Sequence, residues 1–234
     1  MNVQRMNGVL ALVASLGLAV LLAPAGALAA KDPPPEVTPD GLHLTKSAKN
    51  RVVYVKPGAT FAQYQRVAIL DPLVEFEKDW QKDYNRSRSG LEGRVSDDDV
   101  AKMKERLGAE FKKVFTNELQ GEGGYQVVDV AAPDVLVLRP ALLNVEVNAP
   151  DIMTAGIEHT VVRSAGQMTL YLELWDSASN TLLARVMDAQ ADPDSMAQVG
   201  GSVTNKAAAD RILKKWAKEL RERLDEVRAK PATP

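Results

Sequence analysis

Apolar residues recur along this chain in three rhythms. From Val9 to Leu22 they form one uncharged run, VLALVASLGLAVLL. Between residues 51 and 191, short stretches alternate apolar and polar positions with period two, the signature of half-buried strands. In two later segments the spacing lengthens to three and four, which places the apolar residues on one stripe of a helix.

The strand-like stretches begin with Arg51–Lys56 (RVVYVK), closed by the turn pair Pro57-Gly58, and Tyr64–Leu70 (YQRVAIL), stopped at Asp71-Pro72. The mixed-charge stretch from Glu75 to Arg94 reads as a partly ordered loop. Ser96 then opens a helix. Ser96 and Asp99 stand as N-cap and N3 of a capping box, and Asp97 and Asp98 suit the positive end of the helix dipole. Its stripe is Val100, Met103, Leu107, Phe111, Val114 and Leu119, and Gly121 lies just past its end.

A short strand is predicted at Gln126–Val130 and a long one at Asp134–Asn148. In the long strand Val135, Val137, Ala141, Leu143, Val145 and Val147 share a face that reads as buried throughout. The alternate face turns polar after Leu142, and Pro140 predicts a bulge or an edge position. Gln167–Ala191 reads as a hairpin turning at Asp176–Asn180. A last amphipathic helix, capped by Thr204 or Asn205, carries Ala209, Leu213, Trp216, Leu220, Leu224 and Val227 on its stripe and ends before Pro231. The order of elements predicts an α+β fold: a mostly antiparallel sheet with two long amphipathic helices packed on one face.

The N-terminus reads as an address. Arg5, the apolar run, the helix breakers Pro24 and Gly26, and Ala27-Leu28-Ala29 make a secretory signal peptide over 1–29, cut before Ala30. A Pro-rich tether is expected over 30–50, a single α+β domain over 51–230 and a tail over 231–234. No later segment approaches membrane-spanning length. The predicted location is the periplasm or an envelope-associated site.

Composition narrows the chemistry. The chain has 234 residues, no Cys, 29 Lys plus Arg and 31 Asp plus Glu, for a net charge of −2. Without Cys there are no disulfides, thiolate metal sites or cysteine nucleophiles. Without a positive field there is no general attraction for nucleic acid. The two histidines, His43 and His159, are too few and too far apart for a metal centre, and no cofactor fingerprint is present. Gly200-Gly201 lacks the spacing of a phosphate-binding loop.

Two constellations remain. Trp80 and Tyr84 lie four apart, with Arg86 and Arg88 close by, an aromatic–arginine set of the kind that dominates protein contacts. Glu173, Asp176 and Asp188 cluster on the hairpin. Carboxylates in a cleft can divide acid and base roles when their pKa values are pushed apart. Lys214, Lys215, Lys218, Arg221, Arg223 and Arg228 on the last helix are balanced by acids and read as a solvated face.

Taken with the placed elements, several segments carry a resemblance. They are Pro39-Asp40-Gly41-Leu42 with Val53–Ala59 and Tyr64; Leu70-Asp71-Pro72 with Val74-Glu75-Phe76 and Trp80; and Gly124-Tyr125 with Asn144–Asp151. Ser164-Ala165-Gly166, Met168-Thr169-Leu170, Glu173, Asp176-Ser177 and Leu183-Ala184-Arg185 continue it, as do Asn205, Trp216-Ala217, Leu220-Arg221 and Leu224-Asp225. The chain resembles the bacterial envelope family known as domain of unknown function 3313, whose pattern is that of lipoproteins. The resemblance implies an envelope location and a fold style, and brings no catalytic residues. This chain departs from the pattern in having no Cys for lipid attachment.

The sequence is read as a non-enzymatic exported binding or assembly module meeting an envelope protein partner through Trp80, Tyr84, Arg86 and Arg88. The alternatives are an accessory subunit of an envelope transport system, or a hydrolase using the acids of the 167–188 hairpin.

Overall fold

A computed structural model of the chain describes residues 33–86, 93–147, 160–162, 166–191, 198–200 and 202–229. The expected signal peptide lies outside the described residues. Those from Pro34 onward belong to one compact unit. Among the described residues it is a mixed α+β fold of three helices and an eight-stranded, mostly antiparallel sheet plus a two-stranded ribbon.

The strands of the main sheet are β1 (His43–Ala48), β2 (Arg51–Val55), β3 (Arg66–Ile69), β4 (Leu73–Phe76), β5 (Gln126–Val127), β6 (Val135–Val147), β8 (Gly166–Asp176) and β9 (Thr181–Ala191). The ribbon pairs β7 (Thr160–Val162) with β10 (Gln198–Gly200). Across the main sheet the order is β1-β2-β9-β8-β6-β3-β5, with β4 also on β6. Pairing is antiparallel from β1 to β6. The strands β3 and β4 lie parallel to β6, and β5 parallel to β3. Helix α1 spans Trp80–Arg86, α2 Asp97–Leu119 and α3 Ser202–Ala229.

The capping box forms as its sequence predicts. The Asp99 amide donates to Ser96 Oγ, and the Ser96 amide donates to the Asp99 carboxylate at 2.9 Å. The stripe of α2 delivers Phe111 and Phe115, stacked at 4.0 Å and fully buried. They join one core cluster with Leu138, Leu142, Leu170 and Leu172 of the sheet and Leu213 and Trp216 of α3.

Five features differ from the sequence reading. In β6 the core face is Leu136, Leu138, Pro140 and Leu142, not the Val135–Val137 set, and Arg139 is exposed. The register runs Leu143↔Thr169 and then Glu146↔Gln167, so β6 holds one extra residue there. Asn144 takes φ 51° at that bulge. The bulge reverses the alternation, which brings Val145 into the core. Period-two reading cannot see such a reversal.

The tether, expected over 30–50, is shorter than composition suggested. His43–Ala48 pairs with β2, and Leu42 is 1% exposed. The Leu44 amide also donates to the Glu36 carbonyl, which ties residues 36–44 into a turn. In the polar stretch from Glu75 to Arg94, read as a loop, Glu75-Phe76 end β4 and Trp80–Arg86 form helix α1, while residues 87–92 lie outside the described residues. The last helix starts at Ser202, ahead of the caps expected at Thr204 or Asn205.

Finally, two arginines of α3 are not solvated. Arg221 donates to the carbonyls of Glu118 and Glu122 at 3.2 and 2.9 Å, closing the carbonyl end of α2. Arg228 donates to the Gly123 carbonyl at 2.6 Å and stacks on the Tyr125 ring at 4.4 Å. Gly124 permits this corner, since a Cβ there would meet the Leu119 carbonyl oxygen at 2.1 Å.

Candidate functional site

The central strands present a second face, opposite the core. Alternation along β8 sends Met168, Leu170, Leu172 and Leu174 into the core and Thr169, Tyr171, Glu173 and Trp175 the other way. Register sets beside them Val137, Arg139 and Ala141 of β6 and Leu182, Arg185 and Met187 of β9. One polar row crosses this face as Arg139, Glu173, Arg185 and Tyr54.

Glu173 organises the row. Its carboxylate accepts from Tyr171 Oη at 2.7 Å, from Trp175 Nε1 at 3.1 Å, and from Arg185 Nε and Nη2 at 3.2 and 2.9 Å. Arg139 Nη1 stands 3.8 Å away. Tyr171, Trp175 and Glu173 alternate on one strand, so a single carboxylate clamps the rings on either side of it. Burial alone raises the Glu173 carboxyl, but hydrogen bonds from Tyr171, Arg185 and Trp175 outweigh it and hold it below the usual carboxylate range. Burial, followed by the bond to Glu173, pushes the Tyr171 hydroxyl up to about 12.

Burial opposes the Arg185 charge, but bonds to Asp40 and Glu173 hold its guanidinium above its ordinary range. Asp40 comes from the turn ahead of β1, so the residues read as tether edge this face. The result is a rigid surface in which Tyr171, Trp175, Arg185 and Met187 are half-buried and Arg139 is 64% exposed. Tyr, Trp, Met and Arg are the residue types enriched at protein interfaces.

The acidic hairpin set does not converge. Glu173 lies on this face, whereas Asp188 pairs in register with Leu170 and lies on the core side. Asp188 is 1% exposed and accepts from Arg51 Nε at 2.8 Å, Gln190 Nε2 at 2.9 Å and Trp216 Nε1 at 3.1 Å. Arg51 also bonds Glu219, which ties β2, β9 and α3 together. Asp176 sits at the hairpin end, accepting from Tyr64 Oη at 2.7 Å and from the Ser179 amide. The Tyr64 bond, followed by those from Ser179, lowers its pKa. Each carboxylate is thus engaged by donors of its own, with no shared proton between them.

The aromatic–arginine set is placed as follows. Trp80 and Tyr84 share α1 with rings stacked at 5.9 Å between centroids, and Trp80 also packs at a tilt against Phe76 at 4.6 Å. The Trp80 indole donates to the Val147 carbonyl at 3.2 Å, and both rings are half-buried. Asn85 exchanges two 2.8 Å bonds with the Val95 backbone, pinning α1 to the start of α2. Arg86 is exposed and pairs with Asp83. Arg88 lies outside the described residues, as does His159. His43 is exposed on β1.

Ser164-Ala165 also lie outside the described residues. Gly166 explains itself: a Cβ there would stand 2.2 Å from the Glu146 carbonyl oxygen, so only glycine allows β8 to start beside β6. The Glu173 cluster eluded the sequence reading because its polar members, Arg139 and Arg185, come from separate strands. The signal available was Tyr171–Glu173–Trp175, a charge between two aromatics on one face.

Fold and surface together define an α+β sheet protein with a clamped aromatic–charged face. The chain belongs to the family described as "Protein of unknown function (DUF3313)", whose model matches residues 38–220. Solved structures similar to it include the PelC dodecamer from Paraburkholderia phytofirmans, at 14% identity and TM-score 0.38, covering 72% of this chain and 98% of that one. A Xanthomonas campestris protein of family DUF330 matches at 13% identity and TM-score 0.37, covering 71% and 86%. A DUF4136 protein from Bacteroides thetaiotaomicron matches at 12% identity and TM-score 0.29, covering 77% and 98%. No curated protein matches the chain significantly. Among the described residues, no helix is long and apolar enough to cross a membrane, and no group of three His, Asp or Glu is placed to hold a metal ion.

Proposed function

We propose that this is an exported envelope protein, non-enzymatic, that binds or assembles with another envelope protein through the Arg139–Tyr171–Trp175 face. The observation that carries the reading is the Glu173 clamp, which holds two aromatic rings on a half-exposed surface and so lowers the entropic cost of ordering them on binding. We infer also that α2 and α3 cover the same sheet face. Phe111, Phe115, Leu213 and Trp216 share a cluster with the leucines of that face, which leaves the opposite one for a partner. The exposed Arg86 end of α1, anchored by Trp80 and Tyr84 and continuing toward Arg88, supplies a second contact.

Export rests on the signal-peptide pattern of 1–29. Osmotic-shock fractionation and intact-mass analysis are expected to recover the protein from the periplasm or envelope with Ala30 as its first residue. Recovery from the cytoplasm with residues 1–29 retained would overturn the location and the class of partner with it.

A further inference from the structure

A half-open pocket of about 410 Å³ is lined by α2, α3, the end of β6 and the start of β8. Protein interiors are packed as densely as organic crystals, with few voids larger than a water molecule. A cavity of this size falls in the range of small-molecule sites, about 300–1,000 Å³. Its walls are aliphatic: Met103 and Leu107 face Ala209 and Ile212, with Val145 and Met168 from the sheet. The space exists because α3 presents alanines where a core-filling helix would carry larger residues.

The polar lining residues are Arg106, Glu110 and Lys206 of the helices and Glu146 and Gln167 at the strand ends, with both cations on the helix side. Lys206, exposed, is paired with Glu110 at 3.0 Å, and Arg106 stands exposed beside them. Two flexible methionine side chains adapt to a chain-like occupant. Phe76 is the one aromatic among the described lining residues, so the walls are built for an alkyl group and not for a stacked ring.

We propose that this cavity binds one aliphatic chain of a lipid, its polar head at the Arg106–Lys206 edge. A methylene takes about the volume of a water, roughly 30 Å³ in the liquid, so the cavity holds on the order of a dozen methylenes. The inference is independent of the partner face, which lies on the other side of the sheet.

The test is titration of the purified chain with dansylaminoundecanoic acid, read by dansyl fluorescence. Saturable binding of one probe per chain is expected, with at least tenfold weaker binding in Ala209→Trp, whose indole fills the cavity. Displacement by palmitate, by lysophosphatidylglycerol, or by both supports the proposal and distinguishes a free fatty acid from a phospholipid source. Absence of saturable binding, or displacement by neither, would overturn it. Should Ala209→Trp fail to fold, a diazirine-bearing fatty acid is photolysed on the wild-type chain. Labelling is expected on peptides carrying Met103–Leu107 or Ala208–Ile212, and labelling confined to other peptides contradicts the proposal.

Discussion

Arg51→Ala is expected to destabilise the fold by about 3–5 kcal/mol, the cost of leaving a buried charge without its partner. Asp188 is the charge concerned. It is 1% exposed and stands between β9 and α3. Arg51 bonds it through Nε and Nη2. With Arg51 gone, Gln190 and the Trp216 indole still donate. Neither carries charge, so the low local dielectric magnifies the loss. The urea midpoint should fall by about 1–2 M with the slope unchanged. Asp188→Asn placed on the Arg51→Ala background should restore part of the loss, because the orphaned charge is then removed. An unaltered midpoint in Arg51→Ala would show that the network linking β2, β9 and α3 is not the tie described above.

Glu173→Ala is expected to cost about 1.5–3 kcal/mol at neutral pH, the range for bonds to a charged acceptor. The substitution strips Tyr171 and Trp175 of their shared acceptor and leaves Arg185 with Asp40. The effect depends on pH with a definite sign. The folded Glu173 carboxyl titrates below its ordinary value. Its contribution is therefore full above the unfolded pKa of about 4.3 and fades as pH falls through the folded one. Denaturant midpoints of Glu173→Ala and wild type should stand apart at neutral pH and converge in acid. A gap that persists unchanged into acid would mean that Glu173 matters for packing and not as a charged acceptor.

Sequence patterning captured those parts of the fold that rest on local periodicity. Helix α2 and its capping box, the long β8–β9 hairpin and the stripe of α3 all follow from side chains a few positions apart. What it missed depends on contacts distant in sequence. The Asn144 bulge reverses the faces of β6 because that strand must keep register with β8. Residues 43–48 become a strand only because β2 offers them an edge. Arg221 and Arg228 look like solvated charges until the carbonyl end of α2, about 100 residues earlier, is brought beneath them. The acidic hairpin set looked compact in sequence, yet alternation sends Glu173 and Asp188 to opposite faces. The Glu173 cluster draws on three strands and the turn at Asp40, and no single window of sequence contains it.

The most direct test of the account is photo-cross-linking in intact cells from a benzoylphenylalanine placed at position 139, on the Tyr171–Trp175 face. The control site is position 218, where Lys218 is 68% exposed on α3. One discrete envelope adduct is expected from position 139, lost when Trp175→Ala is added, and none from position 218. Equal adducts from both positions, or none from 139, would contradict the assignment of that face as the partner surface.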